Sequence, residues 1–163
     1  MRRPAWRVLA IDALLVGLAC AVPQLHVVAP WAVKMNPMLV LLLAGMLLVP
    51  SLWSALLLAV AMPLFSMAVT GLPTPMVAVS MAAELSAVAL LFTWTRNMAW
   101  LRERPFAGLL AAMVLGKVVY YAVKALLLGS VTALVGTPLL LQMLLAVAYA
   151  GLFVLLKNKM VQR

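Results

Sequence analysis

The sequence predicts an all-α membrane protein with six transmembrane helices and cytoplasmic N- and C-termini. Of its 163 residues, 68% are hydrophobic, and the mean hydropathy is +1.21. A soluble domain of this size leaves too much surface wet to bury so many apolar side chains. The apolar runs are continuous rather than alternating, which favours helices over a closed barrel. Residues 1–163 therefore form a single membrane domain, whose six segments are approximately 6–22, 37–49, 52–69, 76–95, 106–128 and 139–156.

The first segment ends at Pro23 and is interpreted as a membrane helix rather than a cleaved signal peptide. A lipoprotein signal has Leu three residues before the cysteine, but Gly17 stands there, and Asp12 interrupts the apolar core. Ala13, Gly17 and Ala21 repeat every four residues and form a groove that another helix can approach closely. That helix belongs either to this chain or to a separate membrane subunit.

The next two segments follow a mixed polar loop, residues 23–36, in which His26 stands alone and is not predicted to be a ligand. Residues 37–49 are short for a full span, since about 20 residues cross a bilayer. A break at Pro50-Ser51 separates them from residues 52–69, where Pro63 predicts a kink.

Gly71 to Pro75 contains a glycine and two prolines and cannot continue a helix. The fourth segment follows this break and ends at the most polar stretch of the chain, Arg96 to Pro105. A turn at Gly129 to Pro138 separates the last two segments.

The distribution of cations predicts the orientation, because cytoplasmic connections are enriched in Lys and Arg. With a cytoplasmic N-terminus, nine of the 12 Lys and Arg residues lie on the cytoplasmic side: Arg2, Arg3, Arg7, Arg96, Arg102, Arg104, Lys157, Lys159 and Arg163. The external loops contain only Lys34. This places the protein in a bacterial cytoplasmic membrane.

The net charge of +9 is explained by topology and anionic headgroups, and no motif suggests nucleic-acid binding. The single cysteine, Cys20, excludes an internal disulfide, and no cofactor or metal is expected. The sequence lacks a nucleophile–base set, a His or Cys cluster and a phosphate loop, so we predict that the protein is not an enzyme.

Glu84, Lys117 and Lys124 are ionisable residues within predicted spans. Because a charged side chain raises the free energy of insertion into the bilayer, such residues are candidates for function. Glu84 lies 12 residues before Arg96 and Lys117 lies 12 residues after Pro105, so the two reach the same depth, ~18 Å from the cytoplasmic boundary. The pair either fastens two helices together or borders an outward-facing cavity. Asp12, near the interface, is expected to pair locally with Arg7 or the N-terminal arm.

Lys117, Tyr120, Tyr121 and Lys124 follow the i, i+3, i+4, i+7 spacing of one helical face and favour the cavity. Alternatively, Lys124 extends to the outer interface. Gln142 lies near the outer end of the last segment and is a candidate ligand. The excess of lysine predicts an anionic or zwitterionic solute.

Five stretches carry a resemblance to a known family: Asn36 to Leu42, Pro63-Leu64, Thr70 to Met76, Met81 to Leu85 and Met113 to Tyr120. In these stretches the sequence resembles the substrate-binding S components of energy-coupling factor (ECF) vitamin transporters. The resemblance implies capture of a vitamin-like solute from outside, and ATP-driven delivery through a transmembrane coupling subunit and two ATPase subunits. By position it adds Asn36 and Thr70 to the solute-binding candidates, and it implies that the Ala13, Gly17 and Ala21 groove docks on the coupling subunit.

This sequence departs from the family pattern at Val49-Pro50, where Gly-Pro is usual, and after Leu85, where Tyr-Gly is usual. Two other functions remain open from the sequence. One is a structural protein of the cell-elongation machinery similar to the MreD family, and the other is a small self-sufficient carrier.

Overall fold

The computed structural model describes residues 4–24, 29, 31, 34–128 and 138–161, and these residues form helices and connections without a β-strand. The helices are α1 Ala5–Ala21, α2 Pro37–Leu48, α3 Leu52–Thr70, α4 Pro75–Asn97, α5 Pro105–Leu128 and α6 Leu139–Val161. A 3₁₀ turn, Val22–Gln24, extends α1, and one helical turn, Ala99–Arg102, precedes α5. The predicted turn at Gly129 to Pro138 lies outside the described residues except for Pro138, and so do the predictions for His26 and the N-terminal arm.

Five of these helices are long and apolar enough to cross a membrane: α1 with its 3₁₀ extension, α3, α4, α5 and α6. The sixth, α2, is apolar but has only 12 residues. Large apolar side chains point away from the bundle, such as Leu126 at 83% and Leu140 at 73% exposure. An all-helical architecture with apolar side chains on its outside is typical of a multi-pass membrane protein.

The break after α3 is produced by Gly71, whose φ of 73° lies in the left-handed region that glycine tolerates. Its N–H donates to Met67 O at 2.9 Å and caps the helix. The hydroxyls of Ser66 and Thr70 both donate to Leu72 O, at 3.0 and 2.9 Å. The turn is therefore fastened to the end of α3 by its own side chains.

The central helix of the bundle is α4, which packs most extensively against α5 and then against α3. Gly116 on α5 permits the closest approach, since a Cβ there would lie 2.6 Å from Val88 Cγ2 and 3.3 Å from Glu84 O. Near the other end of α4, Phe92 meets Phe153 of α6 edge to face at 5.3 Å. The contact at Gly116 brings the neighbouring Lys117 alongside α4.

The short helix α2 begins inside the bundle rather than at its end. Its N-cap residue, Asn36, reaches Glu84, which lies nine residues beyond Pro75 in α4. At 1.5 Å per residue this is a depth of ~13 Å. The remaining length of α4, from Glu84 to Asn97, is ~20 Å, which the ~18 Å of α2 nearly matches. The chain thus enters the bundle before α2 starts.

The sequence predicted that Asp12 pairs with Arg7 or the N-terminal arm, but in the structure Asp12 does not pair with Arg7. It is 4% exposed and accepts a hydrogen bond from the Ser54 hydroxyl of α3, with Oγ 2.7 and 2.8 Å from its two carboxylate oxygens. Arg7 instead lies over the Trp6 ring, 5.3 Å from its centroid. Asp12 is on the face of α1 that packs against α3, so a neutral hydroxyl in the interface is its partner.

Candidate functional site

The carboxylate of Glu84 and the ammonium of Lys117 form an ion pair, with Nζ 2.7 Å from Oε1. The side chain of Glu84 is 2% exposed, whereas that of Lys117 is 30% exposed. The antiparallel packing of α4 and α5 brings them to the same depth, as their distances from the polar stretch indicated. The carboxylate is enclosed, and the ammonium is the member of the pair that reaches open space.

Asn36 is the second partner of Glu84, and its Nδ2 donates to Oε1 at 3.1 Å. Its backbone is left-handed, with φ of 50° and ψ of 62°. Asparagine adopts this conformation more readily than most residues. Among the described residues, Asn36 Oδ1 is buried without a hydrogen-bond partner. Glu84 therefore fixes the point at which the chain turns into α2.

The ion pair borders a partly open cavity of about 450 Å³ rather than lying in continuous packing. Seven of the eight predicted solute-binding residues line it: Asn36, Glu84, Lys117, Tyr120, Tyr121, Lys124 and Gln142. The cavity lies at the end of the bundle that carries the turn after α3, since Leu72, Pro73 and Thr74 also line it. The chain before α2, including Lys34 and Met35, also lines the cavity.

The polar face of α5 is organised around the ring of Tyr120. The ammonium of Lys117 lies 5.1 Å from the ring centroid and that of Lys124 lies 5.9 Å from it. The ring of Tyr121 meets Tyr120 edge to face at 5.3 Å. Both ammonium groups are within cation–π range, so this face concentrates positive charge beside an aromatic surface.

Helix α6 contributes two polar contacts to the walls of the cavity. Gln142 Nε2 donates to the Tyr121 hydroxyl at 2.6 Å, and the Tyr149 hydroxyl donates to Met35 O. Tyr149 and Lys34 were not predicted as site residues. The spacing of Gln142, Leu145, Ala146 and Tyr149 along α6 is again i, i+3, i+4, i+7, which is the signal that identifies Tyr149.

The charged residues that line the cavity are Lys34, Lys117, Lys124 and Glu84, three cations and one carboxylate. Much of the remaining surface is apolar, with methionines at positions 35, 38, 81 and 113. Such a lining matches a small molecule with an anionic group and an apolar body, because a few polar groups fix orientation while apolar walls enclose the remainder. Methionine side chains adapt to irregular ligand shapes.

Thr70 is the predicted site residue that does not line the cavity. Its hydroxyl oxygen lies 2.8 Å from Ser66 O and 2.9 Å from Leu72 O, so its single proton is shared between these two carbonyls. The Leu72 N–H in turn donates to the hydroxyl at 3.2 Å. Its position in the structure is that of a turn-stabilising residue, which holds Leu72 and the following prolines at the mouth of the cavity.

The small-residue groove on α1 faces away from the bundle. Ala13, Gly17 and Ala21 are all exposed, and a Cβ built on Gly17 would meet no atom within 4 Å among the described residues. No described helix of this chain therefore fills the groove.

Comparison of the chain with protein-family models, with characterised proteins and with solved structures finds no match.

Proposed function

We propose that this protein is a membrane-embedded solute-binding subunit of the S-component kind, which captures a vitamin-like solute for an ECF-type importer. The observation that carries the proposal is the cavity of about 450 Å³ around the Glu84–Lys117 pair. Its volume falls in the range of small-molecule sites. A purely structural ion pair needs no such space beside it.

The solute is an organic anion with an apolar or aromatic body. Lys117 already neutralises Glu84 at 2.7 Å, so the carboxylate is not available to a ligand cation without breaking that pair. Two further cations, Lys34 and Lys124, line the cavity, whereas Glu84 is the one carboxylate among its lining residues. An anion is therefore favoured over both a cation and a zwitterion. The sequence alone predicted either an anionic or a zwitterionic solute.

All six helices contribute to the crossing of a bacterial cytoplasmic membrane, and both termini are cytoplasmic. The turn after α3 then lies outside, and the cavity opens toward the external solution. Because the chain before α2 enters from that side, α2 completes its crossing with only 12 residues. Non-helical backbone at this depth is tolerated where it lines a polar cavity.

A transmembrane coupling subunit docks on the exposed face formed by Ala13, Gly17 and Ala21, and two ATPases drive transport through it. Close helix approach needs small residues on at least one partner. Gly17→Leu is therefore expected to abolish co-purification of the coupling subunit while leaving solute binding to the isolated chain unchanged. Retention of the coupling subunit by Gly17→Leu would exclude this face.

Thermal-shift screening of the purified protein tests the solute class. Carboxylates, their neutral amides and amines of the same skeleton are compared, and only the carboxylates are expected to raise the melting temperature. Lys117→Met is expected to remove that shift, whereas Lys159→Met, which removes an exposed cation outside the cavity lining, retains it. Stabilisation by amines alone would contradict the proposal.

The proteins that co-purify with the chain, and the need of uptake for ATP, distinguish this proposal from the two other functions that the sequence leaves open. Co-purification of cell-wall synthesis factors, without ATPases, would favour a structural role in cell elongation. Solute uptake by the purified chain in liposomes without ATP would favour a self-sufficient carrier.

A further inference from the structure

A second cavity, of about 330 Å³, lies at the opposite end of the bundle. It is formed where the end of α4, the helical turn before α5 and the last turns of α6 meet. Its lining residues are Pro50, Phe92, Thr93, Thr95, Arg96, Asn97, Leu101, Arg102, Pro105 and Lys157. This cavity is independent of the solute site, since the two share no lining residue.

The charge of this second cavity is entirely positive. Arg96, Arg102 and Lys157 line it, and no carboxylate does. In the part of the chain that the structure describes, none of these three cations forms an ion pair. Cations that line one cavity repel one another, and a bound anion offsets this repulsion. Of the three, Lys157 is half-buried, whereas Arg96 and Arg102 are exposed.

The start of α5 adds a further preference for an anion. Pro105 is the first residue of this 24-residue helix and lines the cavity. The first N–H groups of a helix have no intrahelical acceptor, and the helix dipole places partial positive charge there. At the start of α5, the Gly108 N–H donates to Arg104 O at 3.1 Å. A phosphate group is an anion that suits guanidinium groups and a helix N-terminus together.

Tryptophans mark this end of the bundle as a membrane–water interface. Trp6, Trp53, Trp94 and Trp100 lie near the ends of helices here and are 58 to 81% exposed. Tryptophan is enriched at the headgroup level of bilayers. The cavity is therefore at the depth at which lipid phosphates lie. Its volume accommodates a headgroup phosphate with several waters, each of which occupies about 30 Å³.

We propose that the cavity between Arg96, Arg102 and Lys157 binds a phosphate-bearing anion, whose source is either an anionic lipid headgroup or a free phosphate ester. The site requires neither the solute cavity nor the importer, and it holds for either orientation of the protein in the membrane.

The test measures lipid retention by the detergent-purified full chain in native mass spectrometry, with phosphatidylglycerol or phosphatidylcholine added. The variant Arg96→Gln/Arg102→Gln/Lys157→Gln removes the cavity cations. The matched control, Arg7→Gln/Arg104→Gln/Lys159→Gln, removes the same charge from exposed residues at the same end that do not line the cavity. Circular dichroism and size exclusion verify that both variants are folded.

We expect the wild type to retain phosphatidylglycerol over phosphatidylcholine. The cavity variant should bind it about tenfold or more weakly, since each cation near a lipid surface contributes about fivefold. The affinity of the matched control for phosphatidylglycerol should stay within about twofold of the wild type. In a neutral detergent micelle, the overall charge of the protein alone changes lipid affinity little.

A second arm titrates glycerol phosphate and inorganic phosphate into lipid-free protein by calorimetry. Binding of these ions that the cavity variant loses assigns a soluble phosphate source, and lipid retention without such binding assigns a headgroup. Equal losses in the cavity variant and its matched control would overturn the proposal, as would a wild type that binds neither phosphatidylglycerol nor glycerol phosphate nor inorganic phosphate.

Discussion

Glu84 is a carboxylate with 2% exposure in a chain that has only three carboxylates. It accepts from Lys117 at 2.7 Å and from Asn36 at 3.1 Å, so its charge is compensated by two different parts of the chain. Removing one partner of a buried pair leaves an uncompensated charge, whereas removing both leaves none. Glu84 is thus a positioning residue, which holds the Lys117 ammonium and the entry into α2.

Lys117→Met is expected to lower stability by about 2–3 kcal/mol, below the full cost for a buried pair because Lys117 is 30% exposed. Glu84→Gln/Lys117→Met should recover part of this loss, because the amide no longer carries a buried charge. A double-mutant cycle on thermal unfolding in detergent measures the coupling. Additive effects of the two substitutions would show that the pair contributes no coupling energy.

Asn36 has two separable roles, a left-handed backbone and a hydrogen bond to Glu84. Both Asn36→Gly and Asn36→Ala remove the hydrogen bond, but alanine adds backbone strain of about 1–2 kcal/mol, which exceeds the entropic cost of about 0.5–1 kcal/mol that glycine adds. The alanine variant should therefore unfold at a lower temperature than the glycine variant. Equal melting temperatures would indicate that the backbone at position 36 relaxes out of the left-handed region.

At the scale of single elements, local sequence signals account for the bounds of α3 and α4 but not for the short second helix. Continuous apolar runs and breaks such as Gly71 are local signals, so α3 and α4 begin and end within a few residues of the predicted bounds. The entry of the chain before α2 depends on contacts between distant residues. Asn36 and Glu84 are 48 positions apart, and no periodicity relates them.

Gly116 sets the separation of α4 and α5. Gly116→Ala places a methyl group 2.6 Å from Val88 Cγ2 and 3.3 Å from the Glu84 backbone oxygen, so Val88 must shift or the helices must separate. We expect a loss of about 1–3 kcal/mol and weaker solute binding, because Lys117 moves with α5. Thermal unfolding and solute titration measure the two effects.

Gly17→Ala is the matched control for this substitution, because a Cβ there meets no described atom within 4 Å. It should leave the melting temperature unchanged or slightly raised, since alanine favours helix more than glycine does. If Gly116→Ala behaved like Gly17→Ala, the close approach of α4 and α5 would not be what positions Lys117.

At the scale of the whole molecule, the two ends of the bundle carry different cavities. One contains the Glu84–Lys117 pair and several tyrosines, and the charged residues that line the other are all cations. The sequence indicated the first through the spacing of polar residues on α5. It did not indicate the hydrogen bond from Tyr149 to Met35, which joins residues 114 positions apart. The resemblance assigned Thr70 to the solute, whereas the structure places its hydroxyl in the turn.

Orientation is tested with single cysteines in a Cys20→Ser background. Leu72→Cys lies in the turn beside the first cavity and is 49% exposed at that position, and Glu103→Cys lies in the polar stretch at the other end. An impermeant maleimide should label position 72 in intact cells and position 103 only after permeabilisation. The reverse pattern would invert the proposed topology and close the solute cavity to the external solution.

Native mass spectrometry of the gently purified protein tests the central claim most directly. We predict one retained organic anion per chain, present in the wild type and in Lys159→Met and lost from Lys117→Met. Retention of the same molecule by Lys117→Met, or recovery of a cation in its place, would contradict the assignment of this cavity to an anionic solute.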